Sequence, residues 1–315
     1  MKTFLSFCSF ALCLFFCTPA PAQEAAWPAK THYRFAEVRG HRIFYREAGD
    51  ASKPTILLLH GYPSSSHTYR ELVPLLSGRY HVIAPDNLGS GYSDKPDPAS
   101  TAYSFDLLAD HVAGLVEKLG LKQYVIYMQD FGAPVGFRVM VRDPSKVKAI
   151  IAQNANAYLE GIPEAKQAFF NKTQTDKSPE NVARLFDFTS ADAVREKQYL
   201  RDVKGRDDTM SPDAWTLDAH FLESDRARRI QVALFQDYKT NLDAYPAWQA
   251  FLRQRQFPTL LVWGAKDPVF TAAGAKAYLK DVPKAELHLL DAGHFAAEEK
   301  PVEIARHIVK FLEGL

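Results

Sequence analysis

Tyr124-Val-Ile-Tyr-Met-Gln-Asp130-Phe-Gly132-Ala133-Pro-Val-Gly136 is the stretch on which the reading of this chain turns. Its first half is a short apolar, β-rich run, as expected of a strand buried on both faces. Its second half places Gly132, Ala133 and Gly136 at the opening of a helical pattern. One acidic residue, Asp130, stands between them. A lone Asp before a helix is ordinarily an N-cap. A strand, a tight turn carrying a functional side chain, then a helix is also the elbow that presents a nucleophile. Small residues beyond it let the helix pack close and aim its N-terminus at developing negative charge.

The same alternation extends outward in both directions. Residues 33–38 and 41–48 read as an antiparallel pair turned at Gly40, and 55–59, 81–84 and 147–152 as further strands. Residues 105–119 show helical spacing, with Asp106 and Asp110 near the start. After Pro258 come strand 259–263, helix 272–279, strand 286–290 and helix 302–312. This pattern predicts an α/β fold with a mostly parallel central sheet flanked by helices. Residues 155–255 differ: they hold no convincing buried strand and carry helical patterns with caps such as Ser211-Pro212-Asp213. They read as a helical cap inserted after the sixth strand, too long for a loop and suited to keeping water from the strand ends. The predicted organisation is a signal peptide at 1–22, core at 23–154, cap at 155–255 and core again at 256–315.

The leader is read from Lys2, an apolar run from Phe4 to Cys17, and Ala20-Pro21-Ala22 before Gln23. The run is shorter than the roughly 20 residues a membrane span needs. A secreted or periplasmic protein is expected, with no membrane attachment after cleavage. Cys8, Cys13 and Cys17 all fall in the leader, so the mature chain has no thiol, disulfide or cysteine metal ligand. With 38 basic and 37 acidic residues, the chain has neither the basic stripe of a nucleic-acid binder nor a polybasic anchor. That balance points to a small, uncharged substrate. The histidines show no paired metal spacing, and Gly89-x-Gly91 reads as a turn rather than a nucleotide fingerprint. No metal and no cofactor are expected.

Two residues join Asp130. Asp267 follows the strand at 259–263, and His294 follows the strand at 286–290. Each alone has a plainer reading, since Asp-Pro starts turns and a lone histidine is usually structural. Together they stand in the order nucleophile, acid, histidine at the ends of strands, as a hydrolase triad does. His60 is read as structural, because the triad already has its base.

The chain resembles the α/β-hydrolase superfamily, and within it the epoxide hydrolase and haloalkane dehalogenase branch that uses Asp as nucleophile. The resemblance runs from about residue 33 to 313 and rests on five motifs. These are His60-Gly61-Tyr62-Pro63, Asp86-Asn-Leu-Gly-Ser-Gly-Tyr-Ser93, Gln129-Asp130-Phe131-Gly132, Trp263-Gly-Ala-Lys-Asp267 and Gly293-His294-Phe295. It implies that Asp130 attacks an sp³ carbon and forms an ester, which water activated by His294 and Asp267 then cleaves. It also implies an oxyanion hole from the backbone N–H groups of Tyr62 and Phe131. Met128 departs from the small residue that serine-type elbows prefer, which this branch tolerates.

Haloalkane dehalogenases normally place Trp after the nucleophile to bind halide, and here that position is Phe131. The Asn that some of them use after His-Gly is Tyr62 here. Epoxide hydrolases instead protonate the opening oxygen with lid tyrosines, and the cap offers Tyr158, Tyr199, Tyr238 and Tyr245. Tyr238 best matches the second lid tyrosine, and Tyr199 is taken as the first. Epoxide hydrolysis to a diol is therefore the leading expectation, with haloalkane or haloacid dehalogenation as the alternative. A ligand-binding receptor on a hydrolase fold is opposed by the intact Asp130, His294 and Asp267.

Overall fold

The computed structural model describes residues 28–315 except Arg206. The signal peptide read at 1–22 lies outside the described residues. The strands are β1 (His32–Val38), β2 (His41–Ala48), β3 (Thr55–Leu59), β4 (His81–Pro85), β5 (Tyr124–Gln129), β6 (Val147–Gln153), β7 (Thr259–Gly264) and β8 (Glu286–Leu290). They form one sheet in the order β1-β2-β4-β3-β5-β6-β7-β8. The pairs β1/β2 and β2/β4 are antiparallel and the rest are parallel. The turn joining β1 to β2 puts both Arg39 (φ 52°) and Gly40 (φ 82°) in the left-handed region, the geometry of a tight hairpin turn.

The inner strands are apolar throughout because both faces are covered. Ile56 and Leu58 of β3 face one core with Val125 and Tyr127 of β5. Leu57 and Leu59 face the other with Ile126 and Met128. Several strands run one residue past the apolar runs of the sequence, to Pro85, Gln129, Gln153 and Gly264. Gln129 and Gln153 are register partners, so backbone pairing carries the strands into polar residues that an apolar run does not mark.

The helices are α1 (Leu72–Ser77), α2 (Phe105–Lys118), α3 (Gly132–Arg142), α4 (Glu164–Thr175), α5 (Pro179–Phe188), α6 (Ala191–Val194), α7 (Pro212–Phe221), α8 (Asp225–Asp237), α9 (Lys239–Arg255), α10 (Ala272–Tyr278), α11 (Ala296–Glu299) and α12 (Pro301–Glu313). Helices α4 to α9 all lie between β6 and β7. Ser178, Ser190, Ser211 and Ser224 cap four of them, each side chain accepting a backbone N–H of the first turn. Polar ties hold this layer to the core helices α2 and α3: Asp237 accepts from Phe105 N–H at 2.8 Å, and Arg138 donates to Asn241 at 2.7 Å. Among the described residues, no helix is long and apolar enough to cross a membrane.

Candidate active site

The carboxyl ends of adjacent parallel strands converge beneath the cap. The order of β4, β3 and β5 opens a crevice there, because β3 is followed in sequence by the neighbour on one side and then by the neighbour on the other. Asp130 follows β5 with φ 50°, a strained value for a side chain of its kind. Two glycines permit the tight elbow. A Cβ on Gly132 would lie 2.2 Å from the Leu59 carbonyl oxygen, and one on Gly61 would lie 2.3 Å from the Cβ of Asp130.

The Asp130 carboxylate is held on both oxygens. Tyr62 N–H donates to Oδ1 at 2.7 Å, and His294 Nε2 lies 3.5 Å from Oδ2. Phe131 begins the turn into α3, where helix N–H groups lack partners within the helix. His294 Nδ1 meets Asp267 Oδ2 at 2.7 Å, with both side chains almost fully buried. Asp267 in turn accepts from Asn154 at 2.8 Å and from the backbone N–H groups of Val269 at 2.7 Å and Phe270 at 3.1 Å.

Burial by itself would raise the Asp267 pKa, yet the charge of His294 and these hydrogen bonds bring it below the usual carboxylate value. Burial likewise works against a charged His294, and the two flanking carboxylates outweigh it, so its pKa is raised to about 10. Asp267 and Asp130 thus both favour the protonated form of His294. Gln129 Nε2 also lies 3.1 Å from His294 Nε2. Both ring nitrogens of His60, read as structural, have backbone partners: the ring accepts from Asn87 N–H and meets the Gly61 carbonyl.

Asn154 is a residue the sequence reading missed. It follows β6 as Asp130 follows β5, and it too has a positive φ, 47°. Its Oδ1 accepts from Gly264 N–H at 2.9 Å and from Gln153 at 2.8 Å while its Nδ2 reaches Asp267. The signal available was the repeat of a polar pair at a strand end, Gln129-Asp130 and then Gln153-Asn154.

Above the triad is a cavity of about 30 Å³. Asp130, His294, Tyr62, Phe131, Val269 and Phe270 line it from the core. The cap contributes Phe169, Phe170, Phe188 and Phe235, with the polar side chains of Lys166, Gln198 and Arg201. Tyr62 and Phe131, read as substrate-binding, are therefore brought together with the triad, their rings 5.9 Å apart.

Tyr199 and Tyr238, taken as the lid tyrosines, are not among the side chains lining this cavity. Tyr238 stacks on Phe170 at 3.9 Å and packs against Phe131 at 5.5 Å. Tyr199 stacks on Phe295 at 4.0 Å and donates its hydroxyl to Asp218. Both rings are buried in aromatic packing, and the Asp130 charge is felt at the Tyr238 hydroxyl. No group of three or more metal-ligating side chains occurs among the described residues.

The family described as alpha/beta hydrolase fold matches residues 54–301. The chain belongs to the α/β-hydrolase family. An uncharacterized hydrolase of Saccharomyces cerevisiae is 40% identical to this α/β-hydrolase over 274 residues, covering 86% of this chain and 93% of the relative. A haloalkane dehalogenase of Mycolicibacterium paratuberculosis is 27% identical over 303 residues, covering 92% and 94%. The crystal structure of an epoxide hydrolase from Vigna radiata superposes with a TM-score of 0.73 at 21% identity, covering 90% of this chain and 98% of that one. This α/β-hydrolase is thus an enzyme, similar to haloalkane dehalogenases in sequence and to an epoxide hydrolase in fold.

Proposed function

We propose that this hydrolase opens a small epoxide to a diol through a covalent ester on Asp130. The observation that carries the reading is a carboxylate at the elbow, with one oxygen on Tyr62 N–H and the other facing His294. A carboxylate attacks an sp³ carbon without prior deprotonation. The carbon–oxygen bond of the ring breaks, and the freed oxygen takes a proton.

Alkylation turns Asp130 into a neutral ester and removes one of the two charges that hold the His294 imidazolium. Its pKa then falls, and once it has lost its proton to solvent the neutral ring can take one from water. Hydroxide adds to the ester carbonyl, whose oxygen gathers charge against Tyr62 N–H. Such a donor contributes about a hundredfold or more in rate. Collapse expels the product oxygen, which recovers the proton from His294, and Asp130 is regenerated.

Dehalogenation is the second reading. The N–H groups of Lys166, Gln198 and Arg201 on the cavity wall favour it, being donors suited to a departing halide. Oxygen tracing tests the shared covalent step. In a single turnover in ¹⁸O-water with enzyme in excess, label enters Asp130 and is absent from product, whereas label in that first product overturns the ester. Diol release from epoxides against halide release from bromoalkanes separates the two readings. Export is proposed on the leader alone, and a mature chain beginning at Gln23 supports it. Met1 retained in a membrane fraction overturns it.

A further inference from the structure

His294 has to hold one ring nitrogen against Asp267 and keep the other toward the ester on Asp130, so the backbone that carries it has to be fixed. It lies between β8 and α11, outside any helix or strand whose ladder would fix it. Core groups hold part of this turn. Gly293 N–H donates to Glu299 at 2.6 Å, and the Gln153 amide donates to the His294 carbonyl at 3.0 Å. The N–H of His294 itself goes to the cap, where Asp202 Oδ2 accepts it at 3.0 Å.

Features on both sides bring Asp202 to that position. In the cap, a π-helical turn, Arg195–Tyr199, ends just before it, and Tyr199 stacks on Phe295 at 4.0 Å. Two cap residues three apart thus grip consecutive residues of the histidine turn. The Asp202 side chain is only 2% exposed, and Arg201 matches its charge, Nη2 donating to Oδ2 at 2.9 Å and Nε donating to Oδ1. In the core, Gly293 makes the room. A Cβ on it would lie 2.4 Å from the Cβ of Asp202 and 3.1 Å from its Oδ2. Gly293 has no positive φ, so the approach of Asp202, not the backbone conformation, is what excludes a side chain there.

We propose that Asp202 is a positioning residue for ester hydrolysis, holding the His294 backbone from the cap so that the imidazole meets both Asp267 and the attacking water. This rests on the ester reading above, but not on whether an epoxide oxygen or a halide has left. In the step concerned, water gives a proton to His294 Nε2 and its oxygen bonds the Asp130 carbonyl carbon. The bond from that carbon to the product oxygen breaks, and this oxygen takes the proton from His294. Asp202 touches none of these atoms and acts through the turn. A reacting group misplaced by about 1 Å loses on the order of a hundredfold in rate. Ester formation needs the Asp130 carboxylate and no proton transfer to His294, so the first step is spared.

The experiment is rapid-quench mass spectrometry of the peptide holding Asp130, with enzyme in excess and styrene oxide and 1-bromobutane as probes. Ester formation and ester decay are read separately. Asp202→Ala slows decay by about ten- to a hundredfold and leaves formation within about threefold, so ester accumulates. Gly293→Ala keeps the Asp202 side chain and pushes it off the turn, and gives the same split. The double variant is no slower than Asp202→Ala alone, because the added Cβ has nothing left to displace.

Decay in Asp202→Ala within about threefold of the unaltered enzyme overturns the assignment. Equal losses in both steps overturn it as well, since a damaged fold slows both and a misplaced base slows one. So does a double variant slowed by the product of the two single effects, which would make Gly293 and Asp202 independent. If the unaltered enzyme forms no ester with either probe, the ester reading fails first and takes this assignment with it.

Discussion

On the floor of the cavity each reactive atom is tied to a partner, whereas the ceiling is built mainly of aromatic rings that need none. Asp130, Asp267 and His294 stand on the ends of strands in one parallel sheet, where backbone pairing sets neighbouring strands about 4.8 Å apart. Their hydrogen bonds run to backbone groups and to one another. Phe169, Phe170, Phe188 and Phe235 of the cap close the space by area, a contact with little direction to it. The floor thus holds the groups of the proposed ester chemistry. The ceiling, with Lys166, Gln198 and Arg201 set among the rings, decides what leaves and what is admitted.

Removing the proposed nucleophile should break the comparison most severely. Asp130→Ala is expected to cut turnover by at least about 10⁴-fold, as loss of a member of a catalytic unit does. A residual rate within tenfold of wild type would move the chemistry off the floor altogether.

The pH profile comes next. Protonated His294 cannot take a proton from water, so kcat falls on the acid side, about tenfold per pH unit. Asp267 keeps the imidazole pKa above the ordinary value of about 6.5, while esterification of Asp130 brings it below the free enzyme's value of about 10. The limb in kcat should lie between these two values, and a profile flat from about pH 5 to 10 would remove His294 as the base.

Asn154→Gly keeps the left-handed backbone and deletes the amide that holds Asp267. Loss of a hydrogen bond to a charged partner should slow turnover by about ten- to a hundredfold. An unchanged rate would show that the backbone N–H groups of Val269 and Phe270 hold the acid without help. The smallest effect belongs to the ceiling's second layer. Tyr238→Phe deletes only a hydroxyl outside the cavity lining, and turnover should stay within about threefold, far from the loss expected for a general acid. A loss of a hundredfold would return Tyr238 to the cavity.

The floor was legible in the sequence because its signals are local. An apolar run marks a buried strand, small residues after it mark a close-packed helix, and a polar residue between them sits at the strand end. Three such ends in the right order located Asp130, Asp267 and His294 before any coordinate. The same logic extended to Asn154 but was not applied to it, since an amide carries no reactive charge to attract notice.

The ceiling was not legible, and net charge was a poor guide to it. A total of +1 averages the whole chain, while Lys166 and Arg201 share one small cavity with the triad. Tyr199 and Tyr238 lie on cap segments that carry the right kind of side chain for a lid. Which hydroxyl faces the substrate depends on how those segments rotate and pack against the sheet. That rotation is set by long-range contacts such as Tyr199 on Phe295 and Tyr238 on Phe170. Sequence by itself determined the fold and the reactive strand ends, because strand burial and turn geometry are written in neighbouring residues. Tertiary structure alone decided which cap side chains reach the nucleophile, because helix packing is settled by the summed area of many distant, weakly directional contacts.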